Sequence, residues 1–82
     1  MSRWTAHVRV TLKAAVNDPQ GLAIRGGLHQ LGFDTVGSVR AGKFFEIQLD
    51  AATRDEAELL VADMGRRLLA NSVIEDFTYE LD

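Results

Sequence analysis

Two histidines, the carboxylates Glu75-Asp76 and two cations flanking a glycine are the residues of this chain singled out by their chemistry. Their spacing limits what each can do. His7 and His29 fall in different predicted elements, and neither has a carboxylate at helical i+4 spacing to complete a metal pair. His7 therefore reads as a polar sheet-face residue and His29 as a solvated helix residue. Glu75-Asp76 lies in a strand-like run, where neighbouring side chains point to opposite faces, so the pair cannot share a proton. Arg40 and Lys43 enclose Ala41-Gly42; such a turn can hold a phosphate or carboxylate, or be a solvated hairpin tip. The chain has no cysteine, which excludes a thiolate nucleophile, a disulfide and thiolate zinc. It also has no G-x-S-x-G, no P-loop and no G-x-G-x-x-G. These residues assign no catalytic group and no metal ligand. They describe a module that binds something and does little chemistry by itself.

The elements that would position them are organised around Asp18-Pro19-Gln20-Gly21. Before it, Trp4, Ala6, Val8, Val10 and Leu12 alternate with polar residues, many of them basic, in the pattern of a half-buried strand. After it, Ile24, Leu28 and Leu31 fall at i, i+4 and i+7, with Leu22 bordering this helical stripe. Asp18 suits the N-cap and Pro19 the first helical position, while Gly21 allows a neighbouring backbone to come close. An anion at this helix end is disfavoured, because Asp18 itself occupies the positive pole. Gly26 and Gly27 imply close approach of the helix to a sheet or another helix, and Gly32 suits a left-handed C-cap.

Phe33, Val36 and Val39 predict a second strand, Arg40-Ala41-Gly42-Lys43 a hairpin turn with Gly42 supplying positive φ, and Phe45, Ile47 and Leu49 a third strand. Thr53 and Glu56 form a capping box for a second helix, whose stripe is Ala57, Leu60, Val61, Met64 and Leu68. Asn71 ends it, and Val73 to Leu81 is a fourth strand. The predicted fold is α+β: a ferredoxin-like β-α-β-β-α-β domain over 1–82. Its four-stranded antiparallel sheet has order 4-1-3-2, with two helices on one face. On the polar sheet face His7 and Arg9 would approach Glu46 and Glu80, with Phe44 exposed among them as a candidate partner contact.

With 82 residues and a formal net charge of −3, the chain is a single domain without a basic footprint for nucleic acid. No apolar run reaches the ~18 residues of a membrane span. No signal-peptide core follows Met1, so the expected location is the cytoplasm. A chain this short has a marginal core, and self-association is a common way to enlarge it.

Several strings occur in a fixed order: Val8-Arg9-Val10-Thr11-Leu12-Lys13, Asp18-Pro19-Gln20-Gly21, Leu31-Gly32-Phe33, Val39-Arg40-Ala41-Gly42-Lys43, and Leu68-Leu69-Ala70-Asn71 before Val73-Ile74-Glu75-Asp76. Together they resemble PurS, the small-subunit family of phosphoribosylformylglycinamidine synthase, over nearly the whole chain. Ser72, where that family often has proline, and Ala14-Ala15 depart from the pattern in loops only. The resemblance implies a non-catalytic subunit in de novo purine synthesis. It would dimerise and join the glutaminase PurQ to the synthetase PurL for ammonia transfer. No cofactor is expected on this chain; ATP and magnesium would sit on PurL. Candidate partner contacts are Arg40, Gly42, Lys43, His7, Arg9 and Phe44. The rival expectation is an ACT-like regulatory module that binds a small molecule near a glycine turn, a fold-level analogy.

Overall fold

The long alternation at the start of the chain makes the strand on which the sheet is built. In the computed structural model, which describes residues 2–82, β1 spans Ser2–Leu12. It is the centre of a three-stranded antiparallel sheet of order β2-β1-β3, with β2 at Gly42–Ala51 and β3 at Glu75–Leu81. Val8 stands opposite Phe45 on one side and Tyr79 on the other. That register turns Ala6, Val8 and Val10 inward, where all three are fully buried, and His7 and Arg9 outward.

Helix α2, Arg54–Met64, covers the inner face with Ala57 and Val61. Thr53 Oγ1 accepts from Glu56 N–H at 3.1 Å as the cap predicts, whereas Glu56 Oε2 accepts from Ala52 N–H at 3.2 Å, one residue before the N-cap. Beyond Met64 the chain widens into a single π-turn over Gly65–Leu69, where Ala70 N–H donates to Gly65 O at 3.0 Å. The extra residue shifts the inward stripe. It runs Ala57, Val61 and Gly65 and then steps to Ala70, leaving Leu68 exposed; Leu60, before the turn, lies at the edge of the covered face and is exposed too, contrary to the regular stripe expected from spacing. Gly65 is where the helix end meets the sheet, since a Cβ there would strike the Phe77 ring.

Helix α1, Pro19–Gln30, begins and ends as expected. Asp18 Oδ1 accepts from Gly21 N–H at 2.9 Å, and Gly32 takes the left-handed φ of 98° just past the helix. Its packing does not follow the prediction. Gly21 is its one buried residue, and no residue of α1 belongs to the core cluster. The two helices therefore do not both cover the sheet.

The predicted second strand is absent as well. Residues 33–41 form turns and extended chain that pair with no strand among the described residues. The reason lies in their hydrogen bonds. Gly37 O accepts from Arg25 Nε at 2.9 Å, Val36 O lies 2.8 Å from His29 Nε2, and Ala41 N–H donates to Asp18 Oδ2 at 2.7 Å. α1 and its junction thus take the groups that a sheet ladder would need. The segment and α1 make an arm beside the sheet. The radius of gyration is 16.3 Å, against about 12 Å for a compact chain of this length.

Candidate partner interface

The junction at Asp18 is a structural lock. The carboxylate is buried and has both oxygens occupied, by Gly21 and Ala41 N–H. Those two hydrogen bonds, with Arg40 nearby, hold its carboxyl below the ordinary value of 3.8 against the opposing effect of burial. Gly21 is required here, because a Cβ would run into Val39 O. Pro19 opens α1, and Gln20 follows it in the first turn.

The Arg40–Lys43 turn is not the expected hairpin. No strand precedes it, and Gly42 begins β2 without a positive φ, its backbone close to Val10 O. Arg40 Nη2 donates to Lys13 O at 3.0 Å and Val16 O at 2.9 Å, pinning the segment before the junction. Lys43 Nζ instead lies 3.5 Å from Glu75 Oε2. The two cations are therefore engaged separately. His29 also departs from expectation: it is half-buried, with its ring hydrogen-bonded to Val36 O in the segment after α1.

Sequence reasoning placed Glu75 beside Asp76 on a strand but missed its role. Its side chain is 12% exposed, and Oε1 accepts from Asn71 N–H at 2.8 Å, closing the turn that Asn71 starts with its own Oδ1 on Val73 N–H. The signal was present in the alternation. Glu75 shares parity with Phe77, Tyr79 and Leu81, and Lys43 with Phe45, Ile47 and Leu49, so both face inward and bridge across β1.

Helix α2 packs on the inner face of the sheet through Ala57 and Val61, and the outer face carries a set of charged side chains. Its cations come from β1 and the segment after it, and its carboxylates from β2, β3 and Asp82 just past β3. Arg3 Nε meets Asp50 Oδ1 at 2.7 Å, Arg9 Nη1 meets Glu80 Oε1 at 3.6 Å, and Lys13 Nζ meets Asp76 Oδ1 at 3.9 Å. His7 Nδ1 is 3.6 Å from Asp82 Oδ2, a charged pair when the ring is protonated. Phe44 stands in the middle, 56% exposed, with His7 stacked on it at 5.8 Å and the Arg9 guanidinium 5.4 Å from its centroid. Exposed pairs of this kind contribute at most about 1 kcal/mol each, so they order the surface more than they stabilise the chain. His7, Arg9 and Phe44 are thus brought together as predicted; Arg40, Gly42 and Lys43 lie apart from that cluster.

Among the described residues no group of three His, Cys, Asp or Glu could hold a metal ion, and no helix is long and apolar enough to cross a membrane. A flat, charged, aromatic-centred sheet face and a projecting helix define a small α+β assembly module. Comparisons with known proteins agree with that class. The model of the PurS family, phosphoribosylformylglycinamidine (FGAM) synthase, matches residues 5–82. The PurS subunit of phosphoribosylformylglycinamidine synthase from Bacillus subtilis is 44% identical over 75 residues, covering 92% of this chain and 88% of that one. The structure of Thermus thermophilus PurS superposes with a TM-score of 0.88 at 41% identity, over 99% of this chain and 96% of that one. A chain in the structure of PurLQS from Thermotoga maritima has the same fold, with a TM-score of 0.92 at 24% identity and full coverage of both chains. The chain belongs to the PurS family of phosphoribosylformylglycinamidine synthase subunits.

Proposed function

We propose that this chain is the non-catalytic bridging subunit of phosphoribosylformylglycinamidine synthase in de novo purine synthesis. It holds the glutaminase PurQ and the synthetase PurL together so that glutamine-derived ammonia passes between them. The reaction of the whole enzyme consumes formylglycinamide ribonucleotide, ATP, glutamine and water, and yields formylglycinamidine ribonucleotide, ADP, phosphate and glutamate. ATP and magnesium belong on PurL, and no cofactor on this chain. It works in the cytoplasm, as a homodimer or larger homo-oligomer. The observation that supports this reading is the family match across nearly the full chain, together with the occurrence of this fold in a PurLQS structure.

The chain's contribution is geometric. An ordered face of side chains pre-set by β1 pairing presents Phe44, His7 and Arg9 at fixed spacing, which lowers the entropy lost on docking. Asp18, Pro19, Gln20, Gly21 and Asn71 keep the arm and the β3 turn in place. The ACT-like reading needs a free glycine turn; Arg40 and Lys43 are each engaged within the chain, and no observation favours it. Phe44→Ala combined with Arg9→Glu tests the docking face. Its affinity for PurL and PurQ, measured by co-sedimentation, should fall about tenfold or more with circular dichroism unchanged. Undiminished affinity would remove the face from the account.

A further inference from the structure

Among the described residues, almost every cation of this chain is paired. Of its nine lysines and arginines, all but Arg25 and Arg40 lie within ion-pair distance of a carboxylate. Those two line one cavity of about 270 Å³ between the start of α1 and the segment that follows the helix, together with Asn17, Leu22 and Ser38. Backbone carbonyls anchor both guanidiniums: Arg25 donates through Nε to Gly37 O at 2.9 Å, and Arg40 through Nη2 to Lys13 O and Val16 O. Neutral carbonyls fix the two side chains without cancelling their charge. Nη1 and Nη2 of Arg25, and Nε and Nη1 of Arg40, donate to no acceptor among the described residues. Asp18 is the one carboxylate at the cavity; each of its oxygens already accepts an N–H, and it pairs with neither arginine. A larger cavity of about 450 Å³ beside the π-turn differs in this respect, because its cations Lys13 and Arg66 are paired with Asp76 and Asp63.

We infer that the Arg25–Arg40 cavity binds the phosphate group of a small phosphate monoester. Two pre-set guanidinium forks suit a tetrahedral oxyanion, which offers oxygens to both at once; a carboxylate has two oxygens and is matched by a single fork. The Ser38 hydroxyl and the Asn17 amide add neutral donors, and Leu22 gives an apolar wall for the carbon part of the ligand. The volume agrees. It is far above the ~30 Å³ share of one water and just under the ~300 Å³ at which small-molecule sites begin, so it suits a phosphate with a short substituent and not a dinucleotide. The positive pole of α1 stays with Asp18; the ligand is held further along the helix, at Arg25. A phosphate bridging Arg25 of α1 and Arg40 of the following segment ties the two parts of the arm together, so occupancy stabilises the arm. The site needs no catalytic group and stands independently of the bridging role.

Calorimetric titration of the full chain at constant ionic strength tests this, with glycerol phosphate, inorganic phosphate and acetate as probes. Glycerol phosphate should bind saturably at one site per chain, at least as tightly as inorganic phosphate and about tenfold or more tightly than acetate. No saturable binding of glycerol phosphate overturns the inference, and so does tighter binding of inorganic phosphate or acetate. Arg40→Gln removes one fork and should weaken glycerol phosphate about tenfold or more. Arg40 also anchors the arm, so a second variant leaves both anchors in place. Ser38→Glu puts a carboxylate at the exposed rim and should weaken binding to a similar extent, with circular dichroism unchanged. Arg54→Gln, at the start of α2, makes the same change in net charge outside the cavity and should leave binding unaltered. Binding unaffected by Ser38→Glu, or equal losses in Ser38→Glu and Arg54→Gln, overturns the site.

Discussion

The two helices differ more in what covers them than in how they are written. Both start at a side-chain cap, both carry apolar residues at three-to-four spacing, and each has glycine within it or directly after it. α2 buries Ala57 and Val61 and brings Gly65 against Phe77. α1 leaves Ile24 and Leu31 in solvent and places Gly26 and Gly27 against nothing within the chain. An amphipathic period says that a face will be covered; it does not say by which chain. Substitutions in matched positions on the two helices can break or sharpen the contrast.

The largest effect belongs to the covered helix. Val61→Asp places a carboxylate without a partner in a fully buried position and should cost about 4 kcal/mol or more, unfolding much of the population. Leu22→Asp, at an exposed position of α1 outside the stripe, should change stability by no more than about 0.5 kcal/mol. Urea melts of the two variants give the comparison; similar losses would show that α1 is packed within its own chain. Next comes glycine. Gly65→Ala should cost about 1–3 kcal/mol because the Phe77 ring must move. Gly26→Ala meets nothing and should gain up to about 1 kcal/mol of helix propensity. A destabilised Gly26→Ala would mean that this side of α1 is covered too.

The caps give smaller differences. Thr53→Ala should lose about 1 kcal/mol. Asp18→Ala should lose more, because Asp18 also accepts from Ala41 N–H and so fixes the arm. Its pH dependence has a definite sign. The folded carboxyl titrates below 3.8, so its stabilisation is complete above that value and is lost as pH falls through the lower, folded one. Stability measured between about pH 5 and pH 3 should fall less in Asp18→Asn than in the parent. Identical acid profiles would remove Asp18 from the lock.

Much of this was legible in the residues. β1, β2 and β3, both caps, the left-handed Gly32 and the outer cluster of His7, Arg9 and Phe44 follow from period and parity, which are local properties. The register of the π-turn did not show, because a single inserted residue leaves the neighbouring apolar pattern intact; Leu60 and Leu68 look as well placed as Val61. The missing strand did not show either. Phe33, Val36 and Val39 have strand-like spacing, but side chains of α1 reach the carbonyls of Val36 and Gly37 and keep the segment out of the sheet. The same long-range bonding explains Arg40, whose role depends on Lys13 and Val16 carbonyls and not on its neighbour Lys43. Glu75 could have been found, since parity alone sets it beside Phe77 on the inner face.

The central claim is that this chain supplies a bridge and no chemistry, and one reconstitution tests it. PurL and PurQ would be assayed for formylglycinamidine ribonucleotide formation with glutamine or with free ammonia, each with and without this chain. Glutamine-dependent synthesis should require the chain, whereas the ammonia reaction should proceed nearly as well without it, because ammonia from bulk needs no bridge. The chain alone should have no activity with any of the substrates. Equal rates in all four conditions would contradict the account.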